Sequence, residues 1–190
     1  MDTIRKELRS AAIRAREGLD AKQRETLSRL IAAQIAASPQ FQAAKTVLLY
    51  RAVRGEVSLD ALVQAPEAAG KRLAYPLCTS DTEMVALIPH DSNAWVPGYC
   101  GIPEPSPERS QPVLPEEIDL VICPCTAFDE ACHRMGMGAG FYDRYLVRCS
   151  RAYTAAVAFE CQKATAIPTQ PWDRSMDAVF TESAVYYPKK

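Results

Sequence analysis

Apolar residues recur every three or four positions along the first forty residues, then gather into short continuous runs. The first pattern predicts a helix over 2–17, with Ile4, Leu8, Ala11, Ala12 and Ala15 on its apolar face. Arg5, Lys6 and Arg9 then fall on the wet side of that helix. Asp20 is placed to cap a second helix reaching Ala37, with Leu27, Leu30, Ile31 and Ile35 facing inward. Ser38-Pro39 stops it. Strands are expected at "TVLLY" (46–50), "RLAYP" (72–76), "EMVALIP" (83–89), "DLVICP" (119–124), "TAAVAF" (154–159), "DAVFT" (177–181) and "AVYYP" (184–188). Helix is expected after Ser58, a candidate cap, and again over 140–149. The proline-rich stretch 96–117 reads as an extended surface loop. Apolar strands alternating with helices point to a three-layer α/β fold: a mostly parallel or mixed central sheet flanked by helices, in one domain spanning 1–190. Ligands in such sheets bind beyond the carboxyl ends of the strands, which directs attention to loops 51–56, 124–140 and 160–176.

Composition narrows the function. Hydrophobic residues at 48% and charged residues at 24% supply an ordinary globular core. A net charge of -1 lacks the basic footprint of a protein built to hold nucleic acid. No apolar run approaches the ~18 residues of a membrane span. The opening "MDTIRKELRS" has no apolar targeting core, so a cytoplasmic chain is expected. Seven cysteines, an odd count, then read as reduced thiols. Cys123, Cys125, Cys132 and His133 offer zinc-ligand chemistry. Their spacing is tighter than the usual Cys-x2–4-Cys pairs, so packed thiols are the expectation.

The most informative stretch is "HRMGMGAGFYDRYL" (133–146). Glycines at 136, 138 and 140 lie between a buried strand and a helix. Free backbone N–H groups at such a junction can hold a phosphate, and glycine lets the backbone close around it. Arg134 adds a fixed cation. Asp143, in the first helical turn, opposes an anion unless a divalent cation bridges the two. The local reading is a nucleoside triphosphate with Mg2+. The stretch is neither a Walker A loop nor the GxGxxG dinucleotide fingerprint, and a purely structural glycine-rich turn remains open at this point.

Taken together, "CPCTAFDEACHRMGMGAGFYDRYL", "RKELR" near the start, "GEVSLDALV", "GIPEP" (101–105), "AVAFECQ" and "PWDRSMDAVFTE" resemble, in order, the motifs of the 5-formyltetrahydrofolate cyclo-ligase (methenyltetrahydrofolate synthetase) family. The resemblance implies an ATP- and Mg2+-dependent ligase that converts 5-formyltetrahydrofolate to 5,10-methenyltetrahydrofolate, working as a monomer on small-molecule substrates, with no nucleic acid and no membrane. It implies that Arg5, Lys6, Arg9, Arg134, Gly136, Met137, Gly138, Ala139, Gly140, Phe141 and Tyr142 contact ATP. Arg134 and Tyr142 would be catalytic. Arg51, Glu56 and Tyr142 would face the folate, and Asp143 and Asp173 would hold Mg2+. Glutamate suits the pterin edge because a carboxylate accepts paired N–H bonds. Several positions depart from the family pattern: Arg5 stands where Lys is usual, Met135 where Leu is, and Arg51 where a hydrophobic folate contact is expected. Cys125 and Cys132 stand where glycine is common, Ala139 where Gly or Lys is common, and Phe141 where Tyr is common. These departures keep a second expectation in play, a non-catalytic nucleotide- or folate-binding regulator on the same fold.

Overall fold

The computed structural model describes residues 2–188. Its frame is an eight-stranded sheet. In chain order the strands are β1 (Thr46–Leu48), β2 (Arg72–Cys78), β3 (Met84–Pro89), β6 (Ser110–Val113), β7 (Leu120–Pro124), β10 (Tyr153–Val157), β11 (Ala178–Phe180) and β12 (Val185–Tyr186). In space the order is β12-β11-β10-β7-β1-β2-β3-β6. The five strands from β11 to β2 run parallel, and β12, β3 and β6 each pair antiparallel to their inner neighbour. The expected mixed, mostly parallel sheet is therefore present. The chain places β2 on one side of β1 and later β7 on the other. The order thus reverses at β1, which opens a crevice above its carboxyl end.

The central strands are apolar on both faces because helices cover both. Val47, Leu120, Ile122, Ala155 and Val157 point to one side, where Ile31, Ile35 and Phe41 pack on them. Leu48, Val121, Cys123 and Ala156 point to the other, against Tyr145 and Leu146. The first layer comes from α2 (Ala21–Ala37) and α3 (Pro39–Ala43). Asp20 caps α2 in a reciprocal capping box with Gln23. Ser38 ends α2 and caps α3, so the predicted stop is also a start. Leu30, assigned to the inner face, is 49% exposed, while Ser28 and Ala32 take the buried stripe.

Helix α1 (Asp2–Glu17) forms as expected but turns a different face inward. Ile4 is 53% exposed and Ala11 and Ala15 are also exposed. The packed stripe is Arg5, Leu8, Arg9, Ala12 and Arg16, a helical face made largely of guanidinium groups. The proline-rich stretch is more ordered than a loop. It contributes the ribbon of β4 (Trp95–Pro97) and β5 (Pro103–Pro105), and then edge strand β6. Pro112 is tolerated in β6 because that strand pairs on one side only. The short helix α4 (Asp60–Val63) starts one residue later than Ser58 would cap it; Ser58 Oγ accepts the Asp60 N–H instead. Helix α5 (Phe141–Leu146) stops three residues before the expected Cys149.

The ribbon is anchored by Glu104, 5% exposed, whose carboxylate accepts the Cys78 N–H at 3.2 Å. A Cβ at Gly98 would lie 2.2 Å from Glu104 Oε2. Gly98→Ala is therefore expected to destabilise the protein by about 1–3 kcal/mol through overpacking. Chemical denaturation checks this, and an unchanged midpoint would show the ribbon to be free to shift.

Candidate active site

The crevice above β1 is a cleft of about 1210 Å³, open to solvent. Three segments converge on it. Residues after β1 supply one wall, and the glycine stretch after β9 (Arg134–Met135) supplies another. That short strand pairs with β8 (Ala127–Phe128). The guanidinium face of α1 closes the third side together with residues 170–174. Nine Lys or Arg residues and four Asp or Glu residues line the cleft, against a net charge of -1 for the whole chain. Positive charge is thus concentrated where a polyanion could bind.

All fifteen residues singled out in the sequence line this one cleft. Arg9 Nε donates to the Gly136 carbonyl at 2.9 Å and so holds the glycine stretch to α1. Gly138 and Gly140 have φ of 114° and 71°, and Gly140 enters α5 from that left-handed state. A Cβ at Gly140 would lie 2.8 Å from Arg144 Nη1, so this turn needs glycine both for its backbone and for space. Met137 and Ala139 are exposed on the loop. Phe141 packs edge-on against Tyr99, with ring centroids 5.4 Å apart. Lys6 is exposed at the rim.

Arg134 is not a free cation. Its side chain is 3% exposed, and Nη2 pairs with Asp143 Oδ1 at 3.0 Å. The guanidinium also lies 5.7 Å from the centre of the Tyr142 ring. Arg5 pairs with Asp173 at 2.6 Å and donates to the Pro168 carbonyl. Each of the two carboxylates expected to hold Mg2+ is thus already matched to an arginine. Both carboxylates line the cleft, and among the described residues no group of three or more His, Cys, Asp or Glu side chains gathers to hold a metal ion.

Glu56 follows a turn in which Arg54 and Gly55 are left-handed, φ 51° and 76°. Its Oε2 accepts the Val53 N–H at 3.1 Å. Burial raises its pKa above the ordinary 4.5, and the Val53 N–H, Arg16 and Arg54 hold the rise back. Between 4.5 and that raised value the folded protein keeps a proton that the unfolded chain has released. This contribution therefore weakens stability as pH rises across the window. The expected result is that Tm of wild type minus Tm of Glu56→Gln, without ligand, becomes more negative from pH 4.5 upward. A flat difference would overturn it.

Arg51 is exposed and lies over the Trp95 ring at 4.7 Å. The thiols of Cys123 and Cys125 are buried, with pKa pushed up to about 12 by desolvation, so they stay protonated beside Arg134. Cys132 adopts φ 62°, a left-handed conformation that glycine takes up more readily than a residue with a side chain. Sequence reasoning missed Arg16, Tyr50, Glu104 and Arg174 as lining residues. Arg16 could have been found from its spacing, since positions 5, 9, 12 and 16 share one helical face. Glu104 sits in the "GIPEP" stretch, but nothing local marks it as buried.

No helix among the described residues is long and apolar enough to cross a membrane. A 5-formyltetrahydrofolate cyclo-ligase of Escherichia coli K12 is 31% identical over 175 residues, covering 90% of this chain and 96% of its own. The mouse 5-formyltetrahydrofolate cyclo-ligase is 26% identical over 201 residues, covering 97% and 96%. The solved structure of Aquifex aeolicus 5,10-methenyltetrahydrofolate synthetase superposes with a TM-score of 0.86 at 31% identity, covering 98% of this chain and 94% of that one. These likenesses favour an enzyme over a non-catalytic regulator. The 5-formyltetrahydrofolate cyclo-ligase family model matches residues 2–182, nearly the whole chain, and the chain belongs to that ligase family.

Proposed function

We propose that the enzyme uses ATP to close the methenyl bridge of 5-formyltetrahydrofolate. The terminal phosphoryl group passes to the formyl oxygen, breaking its bond to ADP. N10 of the folate then attacks the formyl carbon and releases its proton to solvent, and the C–O bond breaks to release phosphate and leave 5,10-methenyltetrahydrofolate. Neither step needs a protein nucleophile, so the work is positioning and charge stabilisation. The carrying observation is that one cationic cleft joins the glycine stretch, the Asp143–Asp173 pair and Glu56.

Within that reading, Gly136, Gly138 and Gly140 let backbone N–H groups approach the phosphates, with Met137, Ala139 and Phe141 flanking them. Arg5, Lys6 and Arg9 line the same wall, and a phosphate can take up their remaining donors. Arg134 neutralises charge on the phosphoryl group in flight, and Tyr142 lies between it and the folate. Glu56 accepts the paired N–H groups of the pterin, and Arg51 attracts the folate carboxylates from the rim. Asp143 and Asp173 would hold Mg2+, which shields the negative charge of the phosphates. A direct test mixes protein, 5-formyltetrahydrofolate, ATP and Mg2+ and follows the absorbance of the methenyl product. Product without ATP, or binding of both ligands without turnover, would overturn the proposal.

A further inference from the structure

Arg16 is the largest fully buried side chain among the described residues, with 2% of its surface exposed. It lines the cleft from the last turn of α1. Its Nε and Nη1 are buried with no hydrogen-bond partner. Guanidinium groups taken out of water are normally matched by carboxylates or carbonyls, because an unpaired buried charge is costly. Arg5 follows that rule through Asp173, and Arg134 follows it through Asp143 at Nη2 while its Nε stays buried without a partner. Arg16 does not, although its charge acts on Glu56 and on Tyr50. Among the described residues no ion pair joins Arg16 to Glu56. The Tyr142 hydroxyl and Arg134 Nε are further buried and unpartnered donors lining the same cleft. The cleft therefore sets an acceptor, the Glu56 carboxylate, beside buried donors that await an acceptor.

A 2-amino-4-oxo-pyrimidine edge has the complementary pattern. Its N2 and N3 hydrogens suit the carboxylate, and the adjoining 4-oxo oxygen suits a guanidinium. We propose that Arg16 donates a hydrogen bond to the 4-oxo oxygen of the bound pterin and so selects 4-oxo over 4-amino pteridines. The inference rests on the reading that Glu56 holds the pterin. A 4-amino group in that place would turn N–H toward N–H and leave the guanidinium unpaired, which is how polar sites reject close analogues.

The test is calorimetric binding of 5-formyltetrahydrofolate and its 4-amino-4-deoxy analogue to wild type, Arg16→Met and Glu56→Gln. Wild type is expected to prefer the 4-oxo ligand. In Arg16→Met that preference should shrink by about 10-fold or more, the effect of one hydrogen bond to a charged group. Its ATP affinity should be unchanged. Preference retained in Arg16→Met, or equal loss of both pteridines, overturns the role of Arg16 alone. Failure of wild type to bind 5-formyltetrahydrofolate, or unchanged affinity in Glu56→Gln, overturns the pterin site and this inference with it. Should Arg16→Met fail to fold, a crystal structure of wild type with 5-formyltetrahydrofolate decides. A guanidinium within ~3.2 Å of the 4-oxo oxygen supports the proposal, and one beyond that distance overturns it.

Discussion

Glu56→Gln is expected to weaken 5-formyltetrahydrofolate binding by about 10- to 150-fold, the effect of losing hydrogen bonds to a charged acceptor. ATP affinity should fall by less, because Glu56 and the glycine stretch stand on different walls of the cleft. The split follows from the cleft. Glu56 hangs from the turn after β1, whereas the glycine stretch follows β9. The amide keeps one oxygen for the Val53 N–H, so the turn itself should survive. Its NH2 group, however, meets the pterin's own donors. Calorimetric titration with each ligand separately checks the prediction. Equal losses for both ligands would remove Glu56 from the pterin site.

Arg134→Ala should lower kcat by about 10²–10³, the usual effect of deleting one preorganised charge stabiliser. It should also lower stability by about 3 kcal/mol, since the Asp143 carboxylate loses its partner. The low end of the buried-pair range applies because Asp143 retains 19% exposure. A drop in activity could follow from the structural loss alone, and Arg134→Lys separates the two. An ammonium can still pair with Asp143 but lacks the fork that reaches a second anion. Lysine should therefore recover most of the stability and little of the activity. If it restores both, Arg134 supplies only a charge. If ATP binding and turnover survive in Arg134→Ala, its contact with the phosphates is wrong. The experiment matters because Arg134 spends its charge on Asp143 in the absence of ligand. An incoming phosphate must draw that pair apart or share it.

The sheet was legible because its central strands are apolar runs with no competing period, and every expected strand is present within a few residues. The loops around the cleft followed from the rule that ligands bind beyond the carboxyl ends of the strands, and its fifteen residues from the family resemblance. What escaped was decided by tertiary contacts. On α1 the apolar stripe containing Ile4, Ala11 and Ala15 was the obvious inner face, yet Arg5, Arg9 and Arg16 turn inward because the cleft needs charge there. On α5 the sequence continues in helix-forming residues to Cys149, but the helix closes at Leu146 with a tighter turn. In the proline-rich stretch, strand pairing depends on the anchoring of Glu104, a contact between residues far apart in the chain. The Arg134–Asp143 pair was hidden for the same reason. Read separately, each of the two residues points to a ligand of its own.

The β12 edge is two residues long, and β6 has Pro112 among its four residues. An outer strand this short, or lacking an N–H donor, makes a poor template for a neighbouring chain to extend the sheet. The protein should thus withstand crowding and concentration without stacking into fibres, even though its inner strands are as apolar as those of many aggregation-prone segments.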